Sequence, residues 1–270
     1  MAIITISRGS KSGGQALAEC LARHLDYPIV GREIIQDAAL KLGVSEEEVG
    51  QGMHHAPKLW GRHSLARQLY VAAVQAALSE RIVDGNLVYH GLAGQMLLRG
   101  LPAVLRMRLI APLEVRITAL METDGMDRSA AEKYIRDVDD ARARWVKMMY
   151  DQDINNPALY DLVISTEVMP LPTACLLIAT TVAQPAFAAT REARARLADF
   201  ALTCHARLAL LSDAQTRALK LEVKAHDGVL EVSGSLPLLP SGQMESDITR
   251  VINAVPGVRA IRLEIQWFSP

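Results

Sequence analysis

The sequence predicts a doubly wound α/β domain, a parallel sheet with helices on both faces, followed by a small α+β module of αββαβ order. Three observations carry this reading. Short β-branched and aliphatic runs alternate with stretches of helical period through the first two thirds of the chain. Half of the residues are hydrophobic but only 4% are aromatic, a balance suited to helices packed on a buried parallel sheet. Beyond Pro185 the character changes to an Ala/Arg/Leu-rich helix and then to a hairpin signal at His226, Asp227 and Gly228.

Ala2 to Ile6 is a buried-strand run that ends in a Gly/Ser loop, after which Leu17, Leu21 and Leu25 recur with helical spacing. Arg32 to Leu42 reads as a second helix. Ser45 followed by Glu46, Glu47 and Glu48 reads as a helix start with acids in its first turn. Ser64 to Ile82 is a longer helix, and Leu87 to Tyr89 and Val104 to Ile110 are strands flanked by glycine or proline. Pro112 opens a helix where its missing N–H costs little. Asp127 to Asp151 is a charged helical region, and Leu162 to Ser165 is the last short strand of the sheet.

Val168 to Thr190 contains no charged residue and has the length of a bilayer span, but Pro170, Pro172, Gln184 and Pro185 interrupt it. A buried helix from Thr173 to Ala183 is the better reading. Arg191 to Leu211 then forms a helix, Leu219 to Lys224 and Val229 to Ser233 pair across the hairpin, and Met244 to Asn253 and Val258 to Gln266 supply a closing helix and strand. The expected domains are residues 1–190 and 205–270.

Lys and Arg total 29 against 30 for Asp and Glu, so a net charge of -1 provides no long-range field for nucleic acid or an anionic membrane. Phosphate recognition must therefore be local. Cys20, Cys175 and Cys204 lie far apart and show no paired ligand spacing, which argues against a zinc site or disulfides and for a cytoplasmic location. The amino terminus has no secretory pattern. His54, His55, His63, His90 and His205 lack ligand-spaced neighbours, and Trp60 and Trp145 read as packing anchors rather than base-stacking platforms.

The chemistry concentrates in the first loop, Ser7 to Gly14. It follows a strand and precedes a helix, so its backbone N–H groups and those of the helix start are placed to cradle a phosphate. Gly9 and Gly14 fit the glycines of GxxxxGK[ST]. Gln15 stands in place of the lysine and Ala16 in place of the magnesium-binding hydroxyl. Lys11 is the candidate replacement cation, and Ser10 and Ser12 are the candidate hydroxyls. The charged stretch 127–151, taken alone, reads as a solvated helix laced by surface ion pairs.

The segment from Ile4 to Ile35, with its Ser7-Arg8 pair, its glycine-rich loop and a later Arg32-Glu33-Ile34-Ile35, resembles the opening of the cytidylate kinase-like family. APLEVRI at 111–117, DRSAAEK at 127–133, Asp139 with Arg142, and LYDLVIST at 159–166 continue the likeness to about residue 185. The resemblance implies a P-loop phosphoryl-transfer site with ATP on the loop, Mg2+, and a nucleoside monophosphate opposite, closed by arginines. It implies that Gly13 and Gly14 cradle donor phosphates, Arg32 contacts the acceptor, and Arg142, oriented by Asp139, completes the charge. Arg116 and Arg136 are weaker candidates for the same nucleotide.

The sequence departs from the family where chemistry would occur. Gly31 replaces the acid expected before Arg32, and Leu92 replaces an arginine, in addition to Gln15 and Ala16. A catalytically weak or inactive nucleotide sensor is therefore the alternative to a kinase. Residues 205–267 are similar to a BON domain through the hairpin at 228–236 and VPGVRAIRLEI at 255–265. That likeness implies attachment to a membrane or small ligand, and an oligomerisation role, a homo-oligomer included, is the competing expectation.

Overall fold

The computed structural model describes residues 2–45, 64–237 and 243–268. The acidic helix start after Ser45, together with His54, His55, Trp60 and His63, lies outside them. Within the described residues one compact unit takes residues 2–34 and 84–189, and a second takes 35–45, 64–83, 190–237 and 243–268.

The first unit is built on a five-stranded parallel sheet of order β2-β3-β1-β4-β5. Its strands are β1 (Ile3–Arg8), β2 (Ile29–Val30), β3 (Leu87–Tyr89), β4 (Val104–Ile110) and β5 (Leu162–Ser165). β1 is central, which is why Ile3, Ile4 and Ile6, on both of its faces, are all buried. The helices are α1 (Gly14–Leu25), the single turn α4 (Gly94–Leu97), α5 (Leu113–Asp124), α6 (Arg128–Tyr150) and α7 (Leu171–Val182). One core joins Ile4, Ile6, Leu17, Leu21, Val88, Met107, Ala174 and Ile178, from strands and both α1 and α7.

Local signals set most of these boundaries. Asp127 caps α6 by accepting from Ala130 N at 2.9 Å, and Pro112 precedes α5 as its N-cap residue. The helix expected over 173–183 begins two residues earlier, because Pro170 supplies the cap and Pro172 is accommodated in the first turn. Among the described residues no helix is long and apolar enough to cross a membrane. The two-residue strand β2 was not legible, since its pairing with β3 is tertiary.

One expectation is corrected here. Cys20 on α1 and Cys175 on α7 form a disulfide with Cα atoms 6.2 Å apart, although 155 positions separate them in sequence. The packing of α1 against α7, invisible in the cysteine spacing, brings them together. Cys204 is free and buried, and burial pushes its thiol up to about 12.

The second unit contains α2 (Glu33–Leu42, apart from its first two residues), α3 (Leu65–Ile82), α8 (Arg191–Ser212), β6 (Leu221–His226), β7 (Val229–Pro237), α9 (Gln243–Asn253) and β8 (Ala260–Phe268). β6 and β7 pair antiparallel, and β7 and β8 pair parallel. Asp227 and Gly228 take φ 48° and 78°, the left-handed pair a two-residue hairpin demands. Leu202, Ala206, Leu230, Val232, Ile248 and Ile252 form its core. The chain passes between units at 189–190, while residues 64–83 group with the later segment.

Candidate functional site

The glycine loop leaves β1 as an extension of the strand, with Gly9 N donating to the Leu109 carbonyl at 3.3 Å. Ser12 turns inward, its Oγ donating to the Gly9 carbonyl at 3.0 Å and to that of Leu109 at 3.4 Å. Gly13 closes the turn in the left-handed region and α1 starts at Gly14. A Cβ on Gly14 would lie 2.1 Å from Arg8 Cδ, so glycine is required for the Arg8 side chain to lie against the helix start.

Beside this loop lies an open cleft of about 250 Å³, lined in part by Arg8, Gly9, Arg108, Arg116, Asp139 and Arg142. β1, β4, α5 and α6 each contribute one arginine, so cations from distant segments converge at the carboxyl ends of the strands, where open parallel sheets bind ligands. Arg8 donates to the His90 carbonyl, and burial together with the charge of Arg142 lowers its pKa to about 10. Burial also pushes Arg142 below its ordinary value, with Asp139 opposing the shift. Cations held in this way are stabilised by an incoming anion.

Asp139 is the hub of the cleft. Its Oδ1 accepts from Ser10 N at 2.8 Å, its Oδ2 pairs with Arg116, and Arg142 Nη1 stands 3.9 Å from Oδ1. Arg116 also donates to the Ser10 carbonyl at 3.4 Å, and its buried Nε has no partner among the described residues. Arg142 donates to the Arg8 carbonyl at 3.3 Å. Arg108 is held by Asn155 Oδ1 at 2.7 Å, by Ser7 Oγ at 3.2 Å and by the Tyr160 hydroxyl at 3.4 Å.

Of the expected site residues, Gly9, Arg116, Asp139 and Arg142 line the cleft, Ser10 joins them through Asp139, and Ser12, Gly13 and Gly14 belong to the adjoining loop. Lys11, Arg136 and Arg32 are set apart from the cleft lining. Lys11 has φ 56°, which aims its side chain at Asp124, and the ammonium pairs there at 3.0 Å. Arg136 pairs with Glu132 one turn away on α6 and is exposed. Arg32 is exposed beyond the end of β2. Gln15 donates to Glu19 on the outer face of α1.

Sequence reasoning missed Arg8, Arg108 and Asn155 as cleft residues. Arg106 and Arg108 stand two apart on β4 and so share a face, a signal that two otherwise costly cations on a central strand have partners. Arg106 does pair with Asp161 at 2.6 Å, and Arg108 faces the cleft. The departure at Gly31 also has a physical reason: a Cβ there would lie 2.7 Å from His90 Nε2. An acid there would require the His90 ring to shift.

The sequence matches the cytidylate kinase-like family over residues 3–168. A cytidylate kinase of Methanothrix thermoacetophila is 29% identical over 166 residues, covering 61% of this chain and 88% of that protein. One of Methanopyrus kandleri is 29% identical over 168 residues, covering 61% of this chain and 84% of that protein. Among solved structures, an uncharacterized protein from Eubacterium ventriosum superposes with a TM-score of 0.54 at 17% identity, covering 67% of this chain and 98% of its own. That last likeness concerns the fold.

Proposed function

Because the chain belongs to the cytidylate kinase-like family, we propose that its glycine loop and arginine cleft bind a nucleotide and transfer a phosphoryl group from ATP to a nucleoside monophosphate such as CMP. The observation that carries this reading is the convergence of Arg8, Arg108, Arg116 and Arg142 on one cleft beside the loop.

ATP supplies the transferable group. Phosphoryl transfer asks the protein mainly for positioning and for charge placed around the equatorial oxygens. The free N–H groups at the start of α1 and the turn at Gly13 and Gly14 hold donor phosphates. Arg116 and Arg8 take the place of the cation missing at Gln15, and Arg142, held near Asp139, neutralises charge from the α6 side. Arg32 and Lys11 remain candidates for the acceptor and terminal phosphates, with Lys11 exchanging Asp124 for phosphate. Arg136 would have to leave Glu132 to take part.

The fit for Mg2+ differs from the fit for phosphate. Ala16 offers no hydroxyl, and Ser12 Oγ already donates to two carbonyl groups. The position that usually supplies the hydroxyl ligand for magnesium is therefore vacant of oxygen, and Ser10 and Ser12 are the loop hydroxyls that would hold the ion through their lone pairs. The sensor reading also has support: Asp139 occupies Ser10 N, so nucleotide entry displaces a carboxylate from the loop.

The test is calorimetric titration with ATP and with CMP, with and without magnesium, followed by a coupled assay for ADP. Binding with turnover supports the kinase, and binding without turnover selects the sensor. Arg116→Ala weakens ATP by about tenfold or more, the scale of a charge-assisted contact, and Lys11→Ala weakens ATP more than AMP, as loss of a contact to the terminal phosphates requires. Absence of ATP binding refutes both readings.

A further inference from the structure

The second unit ends on a strand edge that is complementary to itself. β8 is hydrogen-bonded to β7 on one side and to no strand on the other among the described residues. The opposite edge of the sheet is different, because β6 is covered by α8: Ala225 N donates across to Thr203 Oγ1 at 3.0 Å. An uncovered strand edge presents a row of N–H and C=O groups ready to pair with another chain.

The side chains of β8 decide what it accepts. Ile261, Leu263 and Ile265 pack toward the core, while Ala260, Arg262, Glu264 and Gln266 are exposed. Neither Arg262 nor Glu264 enters an ion pair with another described residue. We propose that β8 pairs antiparallel with β8 of a second copy of this chain, about a two-fold axis at Leu263. In that register Arg262 lies opposite the partner's Glu264 and Glu264 opposite the partner's Arg262, while Ile261 and Ile265 meet on the core side.

Neighbouring registers fail for stated reasons. An axis at Arg262 or at Glu264 sets like charges directly opposite each other, which destabilises a cross-strand pair. A shift by one residue sets Leu263 opposite Glu264 and turns the two sheets to opposite faces. The axis at Leu263 thus satisfies both charge and face, and a two-fold axis generates every favourable pair twice. Trp267 and Phe268, 39% and 46% exposed at the end of β8, then fall alongside the partner's Arg259 and Val258, where a cation–π contact extends the interface.

The test is sedimentation equilibrium of the full chain across the micromolar range, with native mass spectrometry as a second measure. The wild type is expected to dimerise. Arg262→Glu or Glu264→Arg alone makes both cross-strand pairs like-charged and weakens self-association by about tenfold or more. An equimolar mixture of the two variants forms a heterodimer, because every pair is again of opposite sign, and the double variant Arg262→Glu/Glu264→Arg regains the homodimer. Far-ultraviolet circular dichroism and thermal melts verify that each variant is folded. A monomeric wild type, or a dimer indifferent to both reversals, overturns the proposal.

Discussion

Gly13→Ala isolates the contribution of the loop's backbone geometry. Gly13 sits at φ 87° and ψ 13°, and an L side chain in the left-handed region costs roughly 1–2 kcal/mol. The added Cβ would stand 2.9 Å from Leu171 Cδ1 and 3.3 Å from Cδ2. These are the ends of a movable side chain, so a rotamer adjustment relieves them at about 0.5–1.5 kcal/mol. The expected loss is therefore about 2 kcal/mol, read as a lower urea midpoint at an unchanged slope. ATP affinity should fall at least about tenfold, because relaxing the strain moves the free N–H groups at the start of α1. Gly100→Ala is the control: its φ is 82° and no atom lies within 4 Å of an added Cβ. It should lose about 1 kcal/mol of stability and leave ATP affinity unchanged. A folded Gly13→Ala protein that binds ATP normally refutes the cradle.

Three further outcomes follow from the same geometry. Asp139→Asn keeps an acceptor for Ser10 N but removes the charge facing Arg116 and Arg142, so anion affinity rises a few-fold while stability falls by about 1–3 kcal/mol, measured by titration with inorganic phosphate and by urea unfolding. Burial, then the charge of Arg8, lowers the pKa of His90 from its ordinary 6.5, so the unfolded chain takes up a proton that the folded one refuses. Stability should decline as pH falls below 6.5, and His90→Gln should flatten that decline in unfolding midpoints taken across pH. Cys175→Ala should lower stability by about 2–4 kcal/mol in oxidising buffer and make the melt insensitive to dithiothreitol, since the bridge closes a long loop.

The sequence exposes features that one residue decides locally. The turn at Asp227 and Gly228 and the open backbone at Gly13 are readable because left-handed angles restrict residue choice. Features decided by packing were not. Lys11 has the right charge in the right loop, yet a left-handed backbone turns it to Asp124. Cys20 and Cys175 meet because α1 and α7 pack together, and Arg108 enters the cleft because β4 lies next to β1. Gly31 looked like a lost acid when read alone, and only the His90 ring explains it.

The placement of Asp139 joins these observations into one account of the cleft. Burial strips water from Arg8 and Arg142, and repulsion between the converging arginines adds to it; the depressed pKa values of both groups record that cost. Asp139 offsets part of it by pairing with Arg116 and standing near Arg142, and its remaining lone pairs satisfy Ser10 N. A phosphate carries more oxygens and more charge than one carboxylate, so it can satisfy the same donors and reach Arg8 and Arg108 as well. Nucleotide binding is then an exchange of one anion for a better one. On the proposed reading the aspartate, which holds Ser10 N and Arg116 in place, would also set the affinity for the anion that replaces it.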